Sequence, residues 1–198
     1  MAVGGQLVTI AGIHGRYEDL LLPLHGEHAA RSAAAAVVAL EALLDRALDA
    51  GSVRRALEGA SSPGRLEVVA RRPLVVLDGA HNPAAAEALA SALPEAFAWG
   101  RLHLVVGVFS NKDLEGIADR LAPLADRAYA CRTASVRARP AEEVAAAFTA
   151  RGVASQSFAS VAAALEAARA AADETDLILV TGSLYTVADA RRALLEEP

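Results

Sequence analysis

The sequence predicts an α/β fold: a Rossmann-like, mostly parallel sheet with helices on both faces and one antiparallel edge, preceded by a hairpin-helix remnant of another domain. Three observations predict it. From Leu66 onward, short apolar runs alternate with alanine-rich stretches of helical length, the pattern of right-handed βαβ units. The apolar runs, such as Leu74-Val75-Val76-Leu77, are continuous rather than alternating, which suits strands covered on both faces. Residues 1–60 follow a different order, two strand-like runs and then helix. Ser61-Ser62-Pro63-Gly64-Arg65 separates them from the rest as a turn-forming linker. The expected division is therefore 1–60, the linker 61–65, and an α/β domain at 66–198.

Taken in order, Gln6 to Ile10 and Tyr17 to Leu24 read as a hairpin turning around Gly12 to Gly15. A long helix follows, roughly Glu27 to Ala50, which Gly51 can end, and Ser52 caps a shorter helix to about Leu57. A two-stranded ribbon is marginal in water, so the hairpin is expected to belong to a sheet whose other strands are not in this sequence. Strands are then expected at Leu66 to Val69, Leu74 to Leu77, Leu102 to Val108, Arg127 to Cys131, Ala154 to Phe158 and Leu177 to Thr181. The first two are close enough to form a hairpin, which supplies the antiparallel edge. Helices are expected near Pro83 to Leu93, Asp113 to Leu124, Pro140 to Arg151, Ser160 to Ala172 and Tyr185 to Leu195.

Composition narrows the function. The net charge of −5 and the scattered arginines argue against a nucleic-acid binder, which would gather basic residues on one face. The single cysteine, Cys131, cannot form an internal disulfide and reads as an inert core thiol, and no Cys/His spacing suits a metal. No stretch has the length of a membrane span and the start lacks a basic-then-apolar signal, so a cytoplasmic location is expected. Lysine occurs once, as Lys112, against eighteen arginines. Arginine bias in coding explains most of that, yet a lone lysine also marks a place for a compact ammonium.

The most informative segment is Val75-Val76-Leu77-Asp78-Gly79-Ala80-His81-Asn82-Pro83. A buried strand ends in a polar turn and passes directly into a helix. Gly79 allows a sharp turn, Asn82 suits the N-cap and Pro83 the first helical position. A helix start beside a strand's carboxyl end receives anions, and Asp78 and His81 stand at that mouth. The same segment also reads as an ordinary strand-to-helix connection in which Asp78 or Asn82 only caps.

Three more features belong to the same sheet edge, where α/β folds gather ligands. Ser110-Asn111-Lys112-Asp113 puts a cation beside Asp78 if the two strands are neighbours, or is a helix-start loop with a solvated lysine. Thr181-Gly182-Ser183 offers hydroxyls and N–H groups, for ligand or for capping. Arg65 could clamp a phosphate across the linker, or be a plain surface arginine. The loop Arg132 to Arg139 completes the edge. His14 is expected to be solvated, His25 and His28 to be polar cap residues, and His103 to be a satisfied core histidine. No Gly-x-x-x-x-Gly-Lys-Ser/Thr loop, Gly-x-Gly-x-x-Gly turn or Gly-x-Ser-x-Gly elbow occurs.

Together these residues resemble one family. Leu77-Asp78-Gly79-Ala80-His81-Asn82-Pro83 resembles the hallmark turn in the C-terminal domain of folylpolyglutamate synthase/dihydrofolate synthase, a branch of the Mur ligase superfamily. Leu24-His25-Gly26-Glu27-His28 with its alanine helix resembles the end of that family's central ATPase domain. Ser62-Pro63-Gly64-Arg65 is similar to its linker, and Ser110-Asn111-Lys112-Asp113 to the loop after its next strand. Thr181-Gly182-Ser183-Leu184-Tyr185 is similar to its last strand-to-helix turn. The resemblance implies that ATP phosphorylates a carboxylate of dihydropteroate or a folate and that L-glutamate then attacks the acyl phosphate. It implies Arg65 on ATP phosphates, Asp78 on the ribose hydroxyls, His81 as the catalytic residue by phosphate or glutamate, and Asn82, Lys112 and Ser183 on the substrate side.

Two departures accompany it. The family usually has glutamine directly after the position of His28 and an adenine-binding asparagine four residues after that histidine; Ala29 and Ser32 stand there. Ser32 offers only part of an asparagine's contact with ATP. The family's P-loop, magnesium carboxylates and modified lysine belong upstream of Gly4, so the Mg2+ ligands and the partner ATPase domain are expected there and no metal site here. The reading is therefore the C-terminal part of a glutamate ligase, inactive alone. Another Mur-type ligase and a free-standing, non-catalytic nucleotide-binding module are the alternatives: a P-loop in frame upstream favours a truncated ligase, a native start at Met1 the module.

Overall fold

Residues 4–195 are described by the structure, a computed structural model; Met1 lies outside them. The chain forms two compact units, divided between Pro63 and Gly64.

In the first unit, β1 (Gln6–Ala11) and β2 (Arg16–Leu22) pair antiparallel, with Leu7 opposite Leu21 and Val8 opposite Leu20. β2 stops short of the expected Leu24 because Pro23 has no N–H to give a ladder. Ile10, Tyr17 and Leu20 are buried with Val37 of α1 (Glu27–Leu44) and Val53 of α2 (Ala50–Glu58). The helix boundary departs from the expectation. α1 ends at Asp45, in the left-handed region at φ 50°, and Asp49 caps α2 by accepting the Ser52 N–H at 2.7 Å. Aspartate tolerates the one conformation and suits the other, so Asp45 and Asp49 take the roles expected of Gly51 and Ser52. The N-cap position of α1 is Gly26, so neither His25 nor His28 occupies it.

Glu41 organises this unit. Its Oε1 accepts the Tyr17 hydroxyl at 2.5 Å, and its Oε2 accepts the N–H groups of Ile13 at 2.5 Å and His14 at 3.1 Å. The Tyr17 oxygen in turn accepts the Leu48 N–H at 2.8 Å. The Tyr17 hydrogen bond, helped by the two N–H groups, holds the Glu41 carboxyl below its usual range despite burial. Burial and then Glu41 push the Tyr17 phenol up. After the first-turn pair Glu27 and Arg31, Glu41 is the next charged residue of α1, and it is inside, whereas Leu40, Leu43 and Leu44 are exposed.

The second unit is a six-stranded sheet. Its strands are β3 (Glu67–Arg71), β4 (Leu74–Leu77), β5 (Leu102–Val106), β6 (Arg127–Cys131), β7 (Ala154–Phe158) and β8 (Leu177–Thr181), in the order β3-β4-β8-β5-β6-β7. β3 runs antiparallel to β4 and every other pair is parallel. Alternate residues of the strands point to opposite faces. Val76, Leu104 and Leu179 pack with α3 (Pro83–Ala96), α4 (Leu114–Leu121) and α5 (Ala141–Thr149). Val75, Leu77, Val105 and Ile178 pack with α6 (Val161–Ala171) and α7 (Leu184–Leu195). The condition for Lys112 to stand beside Asp78 is not met: β4 and β5 are not neighbours, because β8 returns from the far edge to lie between them.

At the amino ends of the strands, His103 is a satisfied core histidine. Its Nε2 lies 3.1 Å from Asp176 Oδ2 and its Nδ1 3.1 Å from the Tyr129 hydroxyl. Burial pushes the Asp176 carboxyl up, but the N–H groups of Asp173 and Arg101, then the His103 and Arg101 side chains, outweigh it and hold it at about 2. Cys131 ends β6 and is buried, which pushes its thiol up to about 12; it is the inert core thiol expected.

Candidate functional site

The turn after β4 is built from backbone hydrogen bonds that its own carboxylate completes. Asp78 is buried; its Oδ1 accepts the Ala80 N–H at 2.8 Å and its Oδ2 the Leu66 N–H at 2.9 Å. Leu66 is buried at φ 45°, a conformation that a leucine rarely adopts, and the Asp78 bond helps hold it there. The Gly79 N–H donates to Gly64 O at 2.8 Å, which ties the segment carrying Arg65 to the turn. Gly79 is not in the left-handed region; a side chain there would strike the Arg65 guanidinium and Leu184. Its smallness makes room for Arg65 rather than allowing a sharp turn, as the sequence had suggested.

His81 is half-buried, with Nδ1 2.9 Å from Gly79 O. A carbonyl only accepts, so Nδ1 is the donor in this contact, and in the neutral ring Nε2 keeps the lone pair. Asn82 caps α3, its Oδ1 accepting the Ala85 N–H at 2.8 Å, and Pro83 takes the first helical position. Both follow the sequence reading. The exposed Arg65 donates from Nη1 to Gly64 O at 3.0 Å and has no carboxylate partner among the described residues.

The turn after β8 abuts the end of β5. Gly182, at φ 104°, lies so close to the Gly107 backbone that no side chain fits. Ser183 is buried, and its Oγ accepts the Thr186 N–H at 3.0 Å. Thr186 Oγ1 donates to Gly107 O at 2.8 Å, so the 2.7 Å contact between the two hydroxyls has Ser183 as donor. The Ser183 proton is thus committed inside the protein, to the capping role that the sequence left as one alternative.

After β5, Asp113 caps α4 by accepting the Gly116 N–H at 2.9 Å. Lys112 is half-buried and makes no ion pair among the described residues. One strand separates its loop from Asp78's, so the adjacency that neighbouring strands would have given is not formed. The loop after β6 is stitched to it: Arg139 Nη2 donates to Ser110 O at 2.9 Å and Lys112 O at 3.2 Å, and the Ser110 N–H donates to Arg137 O at 2.9 Å. Arg137 stacks with its Cζ 4.8 Å from the Phe109 ring centroid and 6.0 Å from that of Tyr185, and those two rings are 5.2 Å apart.

The structure thus brings Arg65, Asp78, His81, Asn82, Lys112 and Ser183 to the carboxyl edge of three consecutive strands, β4, β8 and β5. Ser32 lies in the other unit, where its exposed hydroxyl donates to His28 O at 2.9 Å. Sequence reasoning singled out the loop Arg132 to Arg139 but not Arg137. Its aromatic seat is assembled from three loops, and only the chemistry of an arginine two residues before Arg139 hinted at it. A hollow of about 900 Å³ lined by Glu142, Gln156 and Phe158 opens beside β7, at the edge of the sheet far from Asp78. Among the described residues no three His, Cys, Asp or Glu side chains converge as a metal site would require, and no helix is long and apolar enough to cross a membrane.

Comparison with known proteins identifies the family and its fold. Residues 64–184 match the family described as Mur ligase, glutamate ligase domain. The chain is 41% identical over 149 residues to a dihydrofolate synthase/folylpolyglutamate synthase of Mycobacterium tuberculosis, covering 73% of this chain and 31% of that protein. It superposes on a folylpolyglutamate synthase from the same organism, complexed with ADP, with a TM-score of 0.94 and 35% identity, over 100% of this chain and 47% of that one. The bifunctional folylpolyglutamate synthase/dihydrofolate synthase of Yersinia pestis with Mn, AMPPNP and L-glutamate bound aligns with a TM-score of 0.78 and 31% identity, over 91% of this chain and 42% of that one. The chain therefore spans less than half the length of each of these three relatives.

Proposed function

Because the chain belongs to the Mur ligase family, through its glutamate ligase domain, we propose that it is the C-terminal portion of an ATP-dependent ligase that joins L-glutamate to dihydropteroate or to folates. The observation that carries this reading is the placement of Arg65, Asp78 and His81 around one helix start, with Lys112 two strands away on the same edge. In the reaction, a substrate carboxylate oxygen bonds to the γ-phosphorus of ATP as the bond to the β–γ bridging oxygen breaks and ADP leaves. The glutamate amine then forms a C–N bond to the acyl carbon as the C–O bond to phosphate breaks.

Each residue has a part. Arg65, seated over Gly79, meets the ATP phosphates. Asp78 meets the ribose hydroxyls, and its bonds to backbone N–H groups hold the Arg65 segment. His81 Nε2 takes the proton that the glutamate ammonium must lose before its nitrogen can attack. Asn82 presents its amide beside the α3 N-terminus, Lys112 supplies a cation for a substrate carboxylate, and Ser183 shapes the turn. Mg2+ belongs to the same chemistry, but the described residues do not fit a metal site, and its ligands are assigned to the partner ATPase domain. A cytoplasmic location goes with this reading.

The chain alone is expected to lack ligase activity, since half of a cleft cannot preorganise triphosphate and acyl acceptor. NMR titration with ADP and L-glutamate tests the reading: resonances of the Asp78–His81 turn shift if it is right. Saturating ADP and glutamate without any shift there would refute it. ATP- and folate-dependent ADP release by the purified chain, free of full-length enzyme, would refute the expected inactivity.

A further inference from the structure

Besides Arg65 and Lys112, the carboxyl edge of the sheet holds a further cationic position. Arg137 comes from the loop after β6, Phe109 from the end of β5 and Tyr185 from the start of α7, just after β8. Three adjacent strands thus build one seat, and the guanidinium lies 4.8 Å from the buried ring of Phe109. A guanidinium stacked through its face keeps its N–H edge for a carboxylate, in a fixed plane and at low entropic cost. Among the described residues that edge meets no carboxylate. Arg101, Arg120, Arg139, Arg151, Arg191 and Arg192 all have carboxylate partners, whereas Arg137 has none among the described residues.

Its position selects the ligand group. The nucleotide end of the edge is β4, with Asp78 and His81; Arg137 is on the β6 loop, three strand spacings away. At about 4.8 Å per spacing that is roughly 14 Å along the edge. In an amino dicarboxylate the α-carboxylate is bonded to the same carbon as the reacting amine, while the side-chain carboxylate is further out. With the amine directed to the acyl phosphate near His81, the outermost cation meets the outermost carboxylate.

We propose that Arg137, seated on Phe109 and Tyr185, receives the side-chain carboxylate of the incoming amino acid and so selects glutamate over uncharged amino acids; this rests on the ligase reading above. Calorimetric titration of the full chain with L-glutamate, L-glutamine and ADP is the test. The wild-type chain prefers glutamate to glutamine. Arg137→Gln weakens glutamate binding by about tenfold or more, the size of a lost charge-assisted pair, and leaves glutamate and glutamine alike, with ADP affinity and melting temperature retained. Arg137→Lys, which keeps the charge but loses the stacked fork, falls between them. Retained preference in Arg137→Gln overturns the assignment, as does an equal loss of ADP affinity, which would mark a phosphate site. A wild-type chain that binds ADP without preferring glutamate overturns this assignment alone; one that binds neither ligand overturns the ligase reading with it.

Discussion

The Asp78 carboxylate accepts the Leu66 N–H at 2.9 Å, and through that bond the end of β4 holds the segment that carries Arg65. One side chain therefore joins the turn to the residue that lies over it. Asp78→Ala leaves the Leu66 and Ala80 N–H groups buried without an acceptor, at a cost of roughly 1–3 kcal/mol for each. Urea denaturation should show that loss, and ADP affinity should fall with it. A variant of unchanged stability would contradict the structural role.

Ser183 is expected to matter through capping. Ser183→Ala removes the acceptor of the Thr186 N–H and should cost about 1 kcal/mol, read as a lower melting temperature. If instead stability holds and only glutamate affinity drops, the hydroxyl acts on ligand and not on the helix.

Acid should unfold the two units through different carboxylates. Asp176 is held at about 2 against an ordinary 3.8, and a depressed carboxylate stabilises above its unfolded pKa and loses that contribution as pH falls through its folded one. The second unit should lose stability between about pH 4 and pH 2 for this reason. Glu41, also depressed, gives the first unit the same sign. Circular dichroism against pH for Asp176→Asn and Glu41→Gln should show flatter acid limbs than the parent; parallel curves would remove these groups from the account.

Leu40, Leu43 and Leu44 are exposed on a helix whose only outward charges are the first-turn Glu27 and Arg31, and Leu7 faces solvent opposite Leu21. Such patches drive association, as does an unpaired strand edge. The purified chain should sediment as dimers or larger species, and Leu40→Glu with Leu43→Lys should shift it towards monomer. A clean monomer of the parent at high concentration would count against this.

Much of the local structure was legible because its causes are short-range. Asn82 and Pro83 start α3 as expected, since the cap bond spans only three residues. β4, β6 and β8 fall where the apolar runs predicted. The break between α1 and α2 was misplaced because aspartates at 45 and 49 compete well with glycine and serine for those conformations, and propensity alone does not rank them. The substrate role expected of Ser183 hid an internal one: the residues that consume its hydroxyl bonds are Thr186 and, through it, Gly107 on another strand.

By itself the sequence determined the βαβ alternation, the antiparallel edge and the turn from Asp78 to Pro83, because periodicity, capping and turn chemistry act over a few residues. Tertiary structure alone decided that β8 lies between β4 and β5, which sets Lys112 apart from Asp78. It decided too that Asp78 serves Leu66 and that Arg137 rests on Phe109. Strand order follows from which face each crossover helix packs against. That choice is made by the burial of whole apolar faces, a long-range energy that no single segment contains.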